Sequence, residues 1–213
     1  AAWLMGVPLV LHEQNATPGL TNRLLAPLAR RVLTGFAIPD WKMKASKIKQ
    51  VGNPVRATFS SVSEKNQVNE RLRVLVCGGS LGAKVLNERV PEALSLLDHN
   101  KFLLWHQCGK GNRDTVQQSY QSAGVEGENV TVAEFIKDMN EAYEWADVVI
   151  CRAGALTVSE VAVAGRCAIF VPLPSAVDDH QTKNAQYLES NNAAIIMPQK
   201  KFEAQALSCL IQE

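Results

Sequence analysis

No apolar run in these 213 residues approaches the roughly 18 that a membrane-crossing helix needs, so any membrane association has to be peripheral. Charge of one sign is equally scarce. The 22 basic and 21 acidic residues leave +1, spread along the chain, which argues against bulk attraction to nucleic acid and against an acidic tail. The local exception is WKMKASKIK (41–49), which reads either as a solvated face or as a membrane or phosphate patch. No C-x-x-C pair occurs among Cys77, Cys108, Cys151, Cys167 and Cys209; an odd set lying in or beside apolar runs suits free thiols in a reducing cytosol. No signal peptide precedes the fold, and the chain opens on Ala1 in apolar AAWLMG, so it is expected to be a fragment. Two familiar phosphate motifs are missing as well. Ala83 precedes Lys84 and Val85 follows it, so no Walker A loop is present; G-x-G-x-x-G is unmatched, and the second strand of that unit ends in His106 and Gln107 instead of an acidic residue.

What is present is a folded α/β pattern, with 46% hydrophobic residues. From position 72 short β-branched runs, RVLVC (73–77), FLLWHQ (102–107), VTVAEF (130–135), DVVIC (147–151), CAIFVP (167–172) and AAIIM (193–197), alternate with amphipathic helical runs. Pro91, inside the first of these helices, is expected to mark a kink or a late start. Six such strands predict a complete doubly wound parallel sheet over 72–213. Residues 1–58 carry PLVLHE, RVLTGF and KIKQVG around one helix, the tail of a second Rossmann-like domain, and 59–71 reads as the linker.

Ligands of such sheets sit beyond the carboxyl ends of the strands, which directs attention to the loops there. GGSLGAK (78–84) is a Gly-rich strand-to-helix turn that serves either packing or a phosphate, with Ser80 as a further donor. After DVVIC, Arg152-Ala153-Gly154-Ala155 leads into a helix expected over 156–164, with Thr157 and Ser159 offering hydroxyls at its mouth. Glu160 there either complements the helix dipole or accepts hydrogen bonds from the two hydroxyls of a ribose. Phe135-Ile136 ends its strand with backbone groups able to read a base edge or belongs to the core. Asp178 or Asp179 is the natural N-cap of the next helix, preferred over a metal site with His180, and Gln181 faces the same crevice. His12, Glu13 and Asn15 end a strand at the cleft edge, while Arg56 reads as a phosphate clamp or a surface ion pair. His106 is assigned to structure.

HEQN, GLTN, GNPVR, GGSLGA, WHQCGKG, EFI, DMNEAYEWADVVICRAGALTVSE and DDHQTKNA, in this order, closely resemble the MurG family, the UDP-N-acetylglucosamine:lipid I N-acetylglucosaminyltransferases of bacterial peptidoglycan synthesis. The likeness covers essentially the whole chain. It implies the two-domain GT-B fold and inverting, metal-independent transfer of GlcNAc from UDP-GlcNAc to lipid I on the cytoplasmic face of the inner membrane, with no cofactor and no nucleic acid partner. By that resemblance Glu160 holds the ribose, Ile136 contacts uracil through its backbone, and Ser80 with Ala155, Leu156, Thr157, Val158 and Ser159 holds the diphosphate. Asn15, Arg56 and Gln181 reach phosphate or sugar, and His180 stands where the family often has a second Gln. His12 and Glu13 fall near the acceptor and are the candidate catalytic residues. The family's favoured base lies in a Gly-rich loop that does not occur here, and its final helices would follow Glu213. Two further readings stay open: a UDP-sugar-binding subunit that works with a separate acceptor chain, and a UDP-sugar 2-epimerase.

Overall fold

The computed structural model describes residues 5–61, 69–125 and 127–212. In the amino-terminal portion β1 (Val10–Glu13), β2 (Arg31–Thr34) and β3 (Ile48–Gln50) form a parallel three-stranded sheet in that order, with α1 (Leu20–Leu25) after β1. Gly19 occupies the N-cap of α1, so Pro18 lies just outside the helix.

The larger sheet contains β4 (Leu72–Cys77), β5 (Phe102–Gln107), β6 (Val130–Ala133), β7 (Val148–Cys151), β8 (Cys167–Phe170) and β9 (Ala194–Ile196). All are parallel, in the order β6-β5-β4-β7-β8-β9, so the direction of winding reverses between β4 and β7. The period-2 alternation of a strand distributes its side chains to two helical layers. Val74 and Val76 enter a core with Leu86, Val90 and Leu94 of α2 (Lys84–Leu94) and Leu207 of α7 (Ala204–Gln212), which α3 (Arg113–Ser122) completes with Val116 and Tyr120. Leu75 and Cys77 enter the opposite core with Tyr143 of α4 (Met139–Trp145), Val158 and Val161 of α5 (Ala155–Val163), and Ala185 and Leu188 of α6 (His180–Glu189).

Several strands stop earlier than their apolar runs. β6 ends at Ala133, which leaves Phe135 62% exposed and Ile136 buried, and β8 ends at Phe170 before Val171-Pro172. Pro91 delays nothing: α2 begins at Lys84, and the proline sits in its last turn, where its missing N–H costs only one helical bond.

The two sheets share apolar contacts. Phe36 and Phe59 are both buried in the core beneath α5 and α6, Phe36 edge-on to Tyr187 at 5.2 Å and Phe59 edge-on to Tyr143 at 5.4 Å. Each buried ring contributes about 1.5–3 kcal/mol. The expected linker falls largely on 62–68, outside the described residues. Among the described residues no helix is long and apolar enough to cross a membrane.

Candidate functional site

The reversal between β4 and β7 opens a crevice at their carboxyl ends. One wall is the turn 78–83. Gly79 and Gly82 both adopt positive φ, and a Cβ on Gly82 would collide with the Cys108 carbonyl. That glycine therefore serves packing against the neighbouring turn, which also donates Lys110 N–H to the Ser80 carbonyl at 3.2 Å. Gly79 has open space around it, and the Ser80 side chain is exposed at the rim.

The other wall is the mouth of α5. Gly154 is its N-cap in an extended conformation and no side chain caps the helix. Val158 N–H is the first to find a helical acceptor, Gly154 C=O at 2.9 Å, so among the described residues the N–H groups of Ala155, Leu156 and Thr157 remain open. The helix thus starts one residue earlier than the sequence suggested, and the open donors shift with it. Val158 is fully buried with its N–H engaged, and Ser159 is not the free hydroxyl expected of it. Its Oγ donates back to Ala155 C=O at 2.9 Å and accepts from Asn53 Nδ2 at 2.9 Å.

Glu160 lies four residues after Leu156, on the same helical face about one turn further in, about 6 Å along the axis. Its half-buried carboxylate accepts from the Tyr143 hydroxyl at 3.4 Å. Burial raises its pKa above the ordinary carboxylate value, while the Tyr143 hydrogen bond and the positive charge of Arg56 oppose the rise. Arg56 is exposed and belongs to the segment entering from β3, which places a cation near the carboxylate from the amino-terminal side. Beneath them the Cys77 thiol is pushed up to about 12 by burial and then by Glu160, and Cys151 is raised by burial, then by the neighbouring Cys77 and by Glu160, so these paired-strand thiols stay neutral.

Ile136 is buried through its side chain, and among the described residues neither its N–H nor its C=O is hydrogen bonded. Gln181 accepts at Oε1 from Leu173 N–H at 2.9 Å and Ala153 N–H at 3.3 Å. Two N–H donors fix that atom as the oxygen and turn the amide NH2 group away from them. Asp179 does hold the N-cap position of α6, but in a left-handed conformation and without a bond to the backbone; its Oδ1 accepts from Thr182 Oγ1 at 2.7 Å. Asp178 pairs instead with Arg23 at 2.9 Å, an exposed bridge contributing about 0–1 kcal/mol.

At the amino-terminal edge, Glu13 is 3% exposed and accepts four hydrogen bonds. Oε1 receives Asn15 N–H and Nδ2, and Oε2 receives Gly19 N–H and Asn22 Nδ2, all within 3.3 Å. Every acceptor position is used, which makes this carboxylate the organiser of the 13–22 loop and leaves no room for a proton-abstracting role. The His12 Nε2 faces Gly52 C=O at 3.1 Å and donates its proton there.

With this geometry in place, the model of the glycosyltransferase family 28 C-terminal domain matches residues 73–213. The chain belongs to that family. A UDP-N-acetylglucosamine--N-acetylmuramyl-(pentapeptide) pyrophosphoryl-undecaprenol N-acetylglucosamine transferase of Pseudoalteromonas atlantica is 52% identical across all of this chain and 58% of its own length. The protein of the same description from Tolumonas auensis is 54% identical, covering all of this chain and 59% of its own. The crystal structure of Acinetobacter baumannii MurG superposes with a TM-score of 0.85 at 42% identity, over 99% of this chain and 59% of that one. The chain therefore spans a little under three fifths of these relatives.

Within the family 28 domain, three contributors to the site escaped the sequence reading. Tyr143 on α4 supports Glu160, Asn184 on α6 spans the two sheets, and Arg152 donates to the Val171 and Pro172 carbonyls at 3.0 and 3.2 Å, fixing the loop after β8. Asn184 carried the clearest signal available, since it stands three residues after Gln181 on one helical face.

Proposed function

We propose that this chain carries the UDP-sugar half of an N-acetylglucosaminyltransferase that moves GlcNAc from UDP-GlcNAc to lipid I, giving lipid II. The observation that carries the reading is the pairing of three open N–H groups on α5 with a carboxylate one turn inward. A nucleoside diphosphate presents an anion and a diol in that order. Ala155, Leu156 and Thr157 N–H would take the diphosphate, Glu160 the ribose hydroxyls, Ile136 backbone groups the uracil edge, and Arg56 and Ser80 flanking phosphate oxygens. The amide NH2 of Gln181 and the remaining N–H of Asn15 would meet the sugar.

In the transfer the acceptor 4-hydroxyl attacks the anomeric carbon from the face opposite UDP. The C1–O bond breaks with its electron pair moving to the β-phosphate, and the anomeric configuration inverts. Charge growing on the leaving diphosphate is met by the α5 N-terminus and the Arg56 guanidinium, so the step needs no divalent cation. The attacking hydroxyl must lose a proton, and His12, at the end of β1, is the candidate in this chain to receive it. A lipid-linked acceptor requires contact with a bilayer, which supports peripheral residence on the cytoplasmic face of the inner membrane. The exposed lysines of the 41–49 run suit an anionic surface.

Calorimetric titration of UDP and UDP-GlcNAc into the chain tests the reading, with one saturable site expected for each. A folded chain that binds neither would overturn it. The role of Tyr143 is separable. Tyr143→Phe removes one hydrogen bond to Glu160 and is expected to weaken UDP binding by about 0.5–1.5 kcal/mol; an unchanged affinity would show that the hydroxyl does not orient the carboxylate.

A further inference from the structure

We propose that Asn184 is a positioning residue that ties the mouth of α5 to the amino-terminal sheet and so sets the orientation in which Asn15 meets the donor sugar. The coupling stands on geometry alone; its consequence for the sugar rests on the donor reading above.

Asn184 is fully buried in the middle of α6, and its side chain reaches both halves of the molecule. Its Oδ1 accepts from Ala16 N–H at 2.8 Å, while its Nδ2 donates to Ala153 C=O and to Asn15 Oδ1, each at 3.2 Å. The amide orientation is not a matter of choice, since an N–H needs the oxygen and a backbone carbonyl needs the NH2 group. That orientation then dictates the next residue. Asn15 must turn its oxygen to Asn184, which sends its Nδ2 to Glu13 Oε1 at 3.3 Å and leaves one N–H for the cleft. On the other side, Ala153 is held at both ends of its backbone by α6, its N–H by Gln181 and its C=O by Asn184. Ala153 immediately precedes the N-cap of the helix whose open N–H groups form the anion site. One buried carboxamide therefore fixes the peptide before those donors and the side chain across the crevice.

A second polar crossing lies nearby. Asn53, three residues beyond β3, donates to Gln14 C=O at 3.0 Å and to Ser159 Oγ at 2.9 Å. It joins the same two walls without touching Ala153 or Asn15, so it can hold the halves together while Asn184 sets their local alignment.

The test uses Asn184→Leu, which keeps the branching and the number of heavy atoms and removes all three bonds, and Asn15→Ala, which removes the partner from the opposite wall. In the ligand-free protein, amide hydrogen exchange in Asn184→Leu is expected to accelerate at Ala16, which loses its acceptor, and together with it at Ala153, whose N–H stays on Gln181 but whose residue loses the anchor at its C=O. Acceleration on one wall only would overturn the coupling, whatever the ligand of the site proves to be. With ligand, UDP affinity is expected to stay within about threefold in both variants, while the ratio of UDP-GlcNAc to UDP affinity falls about tenfold. The double variant should be no worse than Asn15→Ala, because Asn184 acts through Asn15. Additive losses, or an equal loss for UDP itself, would reduce Asn184 to a packing role. Should Asn184→Leu fail to fold, Asn184→Asp, which turns a carboxylate oxygen toward Ala153 C=O and Asn15 Oδ1, supplies the same exchange and affinity comparison. Failure of the wild-type chain to bind either nucleotide would remove the donor reading, and the exchange result would still decide the coupling.

Discussion

Glu160→Ala is expected to weaken UDP binding by about 1–3 kcal/mol, the cost of leaving charge-assisted hydrogen bonds to a buried diol unmade. Calorimetry on the two proteins reads it directly, and an unchanged dissociation constant would place the ribose elsewhere. The carboxylate is suited to this task because it is half-buried, supported on one oxygen by Tyr143, and placed one helical turn from the open N–H groups. Its raised pKa adds a pH signature. The ionised form is the better acceptor, so affinity should fall with acidification at a pH above that at which an ordinary glutamate titrates. Glu160→Gln should flatten that profile. The sign for folding is opposite: a raised carboxylate pKa means that Glu160 favours the fold fully only below its ordinary value, and that contribution is lost as pH rises through the raised one. Glu160→Gln is therefore expected to keep or gain thermal stability while losing affinity, a separation that a general packing defect would not produce.

Acidification should also destabilise the carboxyl-terminal sheet through His106. The ring is fully buried between the Tyr120 hydroxyl, 2.8 Å from Nδ1, and Asn87 Oδ1, 3.1 Å from Nε2. Nε2 must carry the proton facing the amide oxygen, and Nδ1 accepts from the phenol. Burial lowers its pKa from 6.5 to about 3, so the neutral ring favours the fold fully above pH 6.5, and this contribution is lost as pH falls toward 3. Across that window the loss amounts to about 5 kcal/mol, at about 1.4 kcal/mol per pH unit. Urea unfolding of the wild type and His106→Gln at pH 7, 5.5 and 4 isolates it. The wild type should start more stable and lose its advantage steadily. Parallel pH dependences would show that His106 does not charge on unfolding.

The sequence made the centre of the molecule legible because strand cores are written in short-range pattern. FLLWHQ is β5 to the residue, and the alternation of Val74, Leu75, Val76 and Cys77 reports two covered faces. Where strands end was harder to read, since the chain remains apolar after it leaves the sheet. Phe135 continues the pattern of β6 while lying exposed beyond it, and Val171 continues β8. At the site, local pattern located the α5 mouth and Glu160. It overcounted the available groups, because Ser159 and Glu13 spend their hydrogen-bonding capacity on the protein itself. Partners such as Asn15 with Asn184 lie far apart in the chain, and no local spacing encodes their meeting.

The reversal of winding at β4 and β7 has a kinetic side. Strands β4 and β5 join after a single helix, as do β7 and β8, but Val74 pairs with Val148 only after the whole β5–β6 excursion has been brought round. Closing so large a loop is the slow, entropically demanding part of assembling such a sheet. The crevice does not exist until that closure is made, whereas the units on either side of it can form by local contacts. A ligand that needs both walls of the crevice can therefore be held only after β4 and β7 have met.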